Sequence, residues 1–136
     1  MMNDKKIVEY WKNGADRSWE VAQSLFQNKK YPESLFFGQL TLEKTFKALI
    51  VAKTSKHAPQ IHHLNLLAQK TNIPFTDKQL QELGTITEFS LKARYDEYRM
   101  NFFKRCTSQY TKEWLNKINF YHVWLKKELQ KKSQIA

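Results

Sequence analysis

The sequence predicts an all-α fold, an antiparallel up-and-down bundle of four long helices plus one short helix. Three observations carry this. Apolar residues recur at spacings of three and four through long segments, the period of an amphipathic helix. Only three Gly and three Pro punctuate 136 residues, too few turn formers for a many-stranded sandwich or barrel. Hydrophobic residues make up 41% of the chain, with four Trp, six Tyr and nine Phe, enough for a core and too many for disorder. A chain of this length forms one domain and buries roughly two thirds of the surface its unfolded form exposes. The domain spans residues 1–136, with its core at about 4–132.

Residues 4–28 read as the first helix, with Val8, Trp11, Ala15, Trp19, Ala22 and Leu25 on one stripe and Asp4 available as a cap. Gly14 inside it costs about 1 kcal/mol relative to Ala and suits the close approach of a neighbour. Asn28 to Lys30 form a turn short enough to send the next helix back antiparallel. That second helix, about 32–53, is the centre of the bundle. Pro32 stands where its missing N–H costs nothing, and Glu33 places a negative charge at the positive end of the dipole. Leu35, Leu42, Phe46, Leu49 and Ile50 form its stripe, and Phe36, Leu40 and Ala48 widen it. A helix apolar over more than one face is normally surrounded by others. Glu43 and Lys47 form an (i, i+4) pair in the favourable order, beside Lys44. An exposed pair of this kind adds only about 0.3–0.5 kcal/mol; the alternative is a polar strip facing a cleft.

A connector with Pro59 leads to a short helix, Ile61 to Thr71. His62 and His63 there are adjacent, so on a helix they point about 100° apart and cannot share one metal. A capping or packing role is the expectation, and no metal or cofactor is predicted. After the break at Pro74, Thr76 and Gln79 read as a capping box opening a third long helix, Asp77 to about Ala93. Its inward residues are Leu80, Leu83, Ile86 and Phe89. Arg94 to Cys106 has no clean period and reads as a loop or broken helix. Thr107 or Ser108 caps a last helix to about Lys132. Its stripe is Tyr110, Trp114, Ile118, Tyr121, Leu125 and Leu129. Trp124 lies on a second apolar strip that fits either a subunit interface or a wide core. His122, off the main stripe, is expected in solvent, and the last four residues are expected to fray.

The formal charge is +10, concentrated at residues 104–136, where eight Lys or Arg stand against two Glu. Such a run is read first as a solvated helix end complementing the C-terminal dipole, and otherwise as a face for nucleic acid. The single Cys106 excludes an intrachain disulfide and reads as a buried structural thiol. The N-terminal residues lack the apolar core of a signal peptide, and no apolar run is long enough to span a bilayer. No membrane association and a cytoplasmic location are therefore expected. There is no glycine-rich phosphate loop, no nucleophile elbow and no zinc-binding His pair at (i, i+4).

In order and spacing, these features resemble the HEPN family (higher eukaryotes and prokaryotes nucleotide-binding domain). Trp11, Ala15 and Ala22 look like its opening helix. Tyr31, Gln39, Glu43, Lys44, Lys47, Ala48 and Leu49 match its most distinctive run. Ile61-His62-His63-Leu64 resembles its Thr-His-Asp-Leu turn, with two of the four positions substituted. Arg94-Tyr95-Asp96 resembles its Arg-Tyr-Pro-Asp element without the Pro. The similarity spans about Trp11 to Leu125.

The resemblance implies a helical bundle that commonly dimerises, in a family many of whose members act with a small nucleotidyltransferase encoded beside them, some as toxin–antitoxin modules. Toxin members are metal-independent ribonucleases using Arg, four to six residues, then His. Here the positions counted from Arg94 hold Arg99, Met100 and Asn101, and those counted from Arg99 hold Lys104, Arg105 and Cys106. Arg is always protonated and a poor base, so no catalytic residue is assigned and ribonuclease chemistry is expected to be absent. The expectation is a non-catalytic homodimer that works with a nucleotidyltransferase partner and binds a nucleotide or RNA. Arg94, Tyr95, Asp96 and Arg99 would line the cleft, with Glu43, Lys44, Lys47 and His62 as further candidates. Within the loop, Arg94 and Asp96 could equally pair with each other. The alternatives are a ribonuclease toxin with a rearranged active site, His62 supplying the imidazole, and a basic helical nucleic-acid-binding protein.

Overall fold

The protein is described by a computed structural model, which covers the backbone of residues 4–94 and 96–135 and the side chains of 4–92 and 99–131. It is all-helical over these residues, with six helices: α1 (Asp4–Gln27), α2 (Tyr31–Thr54), α3 (Leu64–Gln69), α4 (Asp77–Arg94), α5 (Asp96–Arg105) and α6 (Ser108–Ile135). The central helix is α2, which packs against each of the other five. Its buried side chains include Leu35, Leu42, Phe46, Ala48, Leu49, Ile50 and Val51, spread around the helix rather than along one line. Mutual shelter of apolar faces is thus what holds the bundle, since packing of an apolar face, rather than intrinsic propensity, supplies most helical stability in proteins.

Local signals set the boundaries. α1 ends in a turn in which the Lys30 N–H donates to the Leu25 carbonyl at 2.8 Å and the Lys29 N–H to Phe26 at 3.0 Å, while Lys29 takes the left-handed conformation (φ 62°). This pattern satisfies carbonyls that a helix end leaves unpaired. The returning α2 lies antiparallel on α1, and the buried Ser34 hydroxyl donates to the Ala22 carbonyl at 2.6 Å. The capping box at α4 is complete: Thr76 N–H donates to Gln79 Oε1 at 2.9 Å, and Gln79 N–H donates to Thr76 Oγ1 at 3.1 Å. Thr107 caps α6, accepting from the Tyr110 N–H at 3.1 Å.

Close approach is set by two glycines. A Cβ on Gly14 would meet Lys44 Cδ at 3.3 Å, so the neighbour anticipated there is a lysine stem. A Cβ on Gly38 would stand 2.6 Å from Ile118 Cδ1, which explains how α6 comes so near to α2. α4 runs antiparallel to α6, joined by Glu82, which accepts from Lys117 Nζ at 2.8 Å and from the Tyr121 hydroxyl at 2.6 Å. Burial and this carboxylate both push the Tyr121 phenol upward, so it acts only as a donor.

Several expectations are corrected. Of the two readings of the segment after Arg94, loop or broken helix, the helical one is found: it forms a separate helix, α5, which adds a sixth element to the predicted five. It forms because Phe102, 1% exposed, stacks on Phe89 at 5.7 Å between ring centres, with Cys106 buried four residues on. A helix of ten residues is too short for its inward positions to register as a period. α3 is shorter than Ile61 to Thr71, because residues 61–63 are held outside the helix by side chains described below. α6 continues to Ile135. His122 is buried at 4% exposure, because Asp16 and Trp19 of α1 cover its side of α6. Trp124 is half-buried, edge-on to Phe75 at 5.0 Å. Cys106 is buried as expected, and that burial pushes its thiol up to about 12, with Arg105 pulling slightly down.

Candidate functional site

Gln39, Glu43 and Lys47 recur at four-residue intervals and so share one face of α2. That face is covered by α1 and by the turn before α3, which makes the strip buried: Glu43 is 7% and Lys47 6% exposed. Lys47 Nζ donates to Glu43 Oε2 at 3.0 Å and lies 5.3 Å from the centre of the Trp11 ring. Gln39 Nε2 donates to Glu43 Oε1 and to the His62 carbonyl, each at 3.1 Å. The expectation of an exposed (i, i+4) pair is therefore corrected: the strip is polar but buried, and the neighbouring cleft is lined by Lys44 rather than by Glu43 or Lys47.

The turn carrying His62 is fastened at both ends. Gln39 holds the His62 carbonyl, and Thr87 of α4 accepts from the Leu64 N–H at 2.9 Å. His62 thus stays outside α3 with its Nδ1 3.0 Å from Glu43 Oε2, while its side chain is 72% exposed. Burial pushes the Glu43 carboxyl upward, but hydrogen bonds from Gln39, His62 and Lys47 outweigh it and hold the group below the usual carboxylate range. Glu43 is therefore an anion at neutral pH. Nδ1 is assigned as the donor to Glu43 from this contact, which leaves Nε2 on the exposed side of the ring. Among the described residues, Gln39 Oε1 is buried without a hydrogen-bond partner. Its amide is oriented by the demand of Glu43 and the His62 carbonyl for a donor.

Lys44, one residue beyond Glu43, leaves the strip on another side. Its Nζ donates to the buried Ser18 hydroxyl at 2.9 Å. It closes a cleft of about 340 Å³ lined by Tyr10, Trp11, Asn13, Gly14, Arg17 and Lys44. Apart from Lys44 and the Trp11 and Gly14 already noted for packing, these residues were not singled out from sequence. The available signal was a segment, Tyr10 to Arg17, mixing aromatic, amide and basic residues at helical spacing.

Of the remaining candidates, Arg99 lies on α5 with its guanidinium 5.2 Å from the Phe103 ring centre. Tyr95 and the side chains of Arg94 and Asp96 lie outside the described residues. The structure therefore brings Glu43, Lys47 and His62 together, turns Lys44 into the neighbouring cleft, and places Arg99 on another element. His63 precedes α3 without a side-chain cap bond, and His57 is exposed. Among the described residues, no three His, Cys, Asp or Glu gather as a metal cluster, and no helix is long and apolar enough to cross a membrane. In the basic C-terminal segment, Lys117, Lys126 and Lys131 each meet a carboxylate, on Glu82, Asp16 and Glu128.

The buried His122 has a consequence for stability. Its Nε2 lies 3.3 Å from Asp16 Oδ1 but is not aligned for a hydrogen bond. Burial, with Lys126 adding to it, lowers the imidazole from its ordinary value, and Asp16 only partly opposes this. The unfolded chain then binds a proton at higher pH than the folded one, so this group's stability is present above about pH 6.5 and is lost as pH falls below it. Thermal unfolding at pH 7.5 and 5.5 is expected to show a fall that His122→Leu reduces. An unchanged fall would mean that other groups set it.

A family model described as HEPN domain matches residues 8–128. No characterised protein and no solved structure gives a match. The matched span runs from early α1 to near the end of α6 and contains the strip, the His62 turn and the Lys44 cleft. The chain belongs to the HEPN domain family.

Proposed function

We propose that the protein is a non-catalytic HEPN member, a cytoplasmic homodimer that works with a nucleotidyltransferase partner and binds a nucleotide or RNA. One observation carries the non-catalytic part: Arg99, Met100 and Asn101 occupy the positions where the ribonuclease pattern needs His, and all three are exposed on α5. None can take up and return a proton near neutral pH as imidazole does. The test is incubation of the purified protein with end-labelled RNA, without metal and with magnesium. No cleavage is the expected result. Cleavage lost on Arg94→Ala would overturn the reading. Dimerisation is checked by solution mass, and a nucleotidyltransferase by its reading frame beside this one and by co-purification.

The Glu43–His62 contact favours a second reading, a ribonuclease with a rearranged site. An imidazole oriented by a carboxylate is suited to general-base work, and His62 is accessible. Under this reading RNA is cleaved, and His62→Ala abolishes cleavage while leaving the fold intact.

A further inference from the structure

We propose that the cleft between α1 and α2 is a binding site for a nucleoside phosphate, its anionic end held by Arg17 and Lys44 and its base on Tyr10. This rests on the reading of the protein as a nucleotide or RNA binder and gives that reading a location away from the Arg94 corner.

The first support is charge. Lys47, Lys117, Lys126 and Lys92 each meet a carboxylate, on Glu43, Glu82, Asp16 and Glu88. Among the described residues, no carboxylate lines the α1–α2 cleft, which holds the cations Arg17 and Lys44. Among the described residues, the partner that holds Lys44 is the hydroxyl of Ser18, 3% exposed. A neutral, buried partner fixes the ammonium in place without cancelling its charge. Gly14 lets the lysine stem lie flat against α1, so the charge is positioned before any ligand arrives, which reduces the ordering cost of binding. An oxyanion with several acceptor oxygens is the natural partner of an ammonium and a guanidinium that line one cleft.

The second support is the aromatic wall. Trp11 is fixed from one side by Lys47 at 5.3 Å, and Tyr10 stands edge-on to it at 5.2 Å and 78°. That contact holds the Tyr10 ring while leaving it 69% exposed. An exposed aromatic beside a cationic groove is the arrangement that stacks bases while tracking phosphates. Asn13, between Tyr10 and Arg17 on the same face, supplies an amide that both donates and accepts. The volume is near the low end for small-molecule sites and fits one nucleotide rather than a duplex. A carboxylate peptide would satisfy the cations but would not require the ring.

The test is calorimetric titration of the full chain with ATP, adenosine and inorganic tripolyphosphate. Tyr10 and Arg17 are exposed, so Tyr10→Ala and Arg17→Ala are expected to keep the fold, checked by thermal unfolding. ATP is expected to bind, and Arg17→Ala to weaken both ATP and tripolyphosphate about tenfold. Tyr10→Ala is expected to weaken ATP roughly five- to a hundredfold, the usual range for loss of one stacked base, and to leave tripolyphosphate unchanged. Tripolyphosphate binding as tightly as ATP, with no effect of Tyr10→Ala, overturns the nucleoside assignment in favour of a plain anion site. ATP binding untouched by either variant overturns this location but not the family reading. Absence of ATP binding overturns the proposal and leaves the RNA-cleavage test to decide the protein's function independently.

Discussion

Glu43→Ala is expected to lower the unfolding free energy by about 3–5 kcal/mol, the usual cost of stripping one partner from a buried ion pair. Lys47 is as buried as Glu43 and has no second carboxylate among its described contacts. Removing Glu43 leaves an ammonium against the Trp11 ring and also frees Gln39 and His62 from their acceptor. The loss would be a large share of a stability of about 5–15 kcal/mol, typical for a domain. Urea unfolding measures it. A paired replacement, Glu43→Leu with Lys47→Met, is expected to recover most of the loss, because no charge is then stranded. A cost below about 1 kcal/mol would mean that the pair behaves as a solvated surface pair after all.

Phe102→Ala is expected to cost about 3–5 kcal/mol, the range for removing a buried aromatic ring from a core, and to lower the melting temperature by about 10–17 °C. The ring is stacked on Phe89, which also meets Trp114 edge-on at 5.5 Å. One side chain therefore ties α5 to α4 and, through Phe89, to α6. The neighbouring Phe103, exposed on the same helix, supplies the control: Phe103→Ala is expected within about 0.5 kcal/mol of wild type, as for surface changes generally. Equal, small effects at both positions would show that α5 is not docked on the core.

The two predictions fall at places where sequence patterns are weakest. Periodicity needs several turns to emerge from noise, so the long stripes of α1, α2, α4 and α6 are legible, and the inward Phe102 of the short α5 is not. Glu43 and Lys47 read as a surface pair because charged residues are rarely buried, and nothing local says that the His62 turn will fold over them. His122 reads as solvated for the same reason. It is off the stripe of its own helix but under Asp16 and Trp19 of another. Of the candidate site, the grouping of Glu43 with Lys47 follows from helical spacing. The arrival of His62 and the departure of Lys44 into a cleft with Tyr10 and Arg17 do not.

What the sequence by itself determined is whatever depends on neighbours a few residues apart. The capping box of Thr76 and Gln79, the short turn after α1, the proline start of α2 and the buried stripes all follow from bond geometry and the helical repeat. What only the tertiary structure decided is which polar groups lose their water. Burial of Glu43, Lys47 and His122, and the meeting of Arg17 and Lys44 in one cleft, depend on which helix lies over which face. Desolvation is set by every atom within a few ångströms, and those atoms come from residues tens of positions away in the chain.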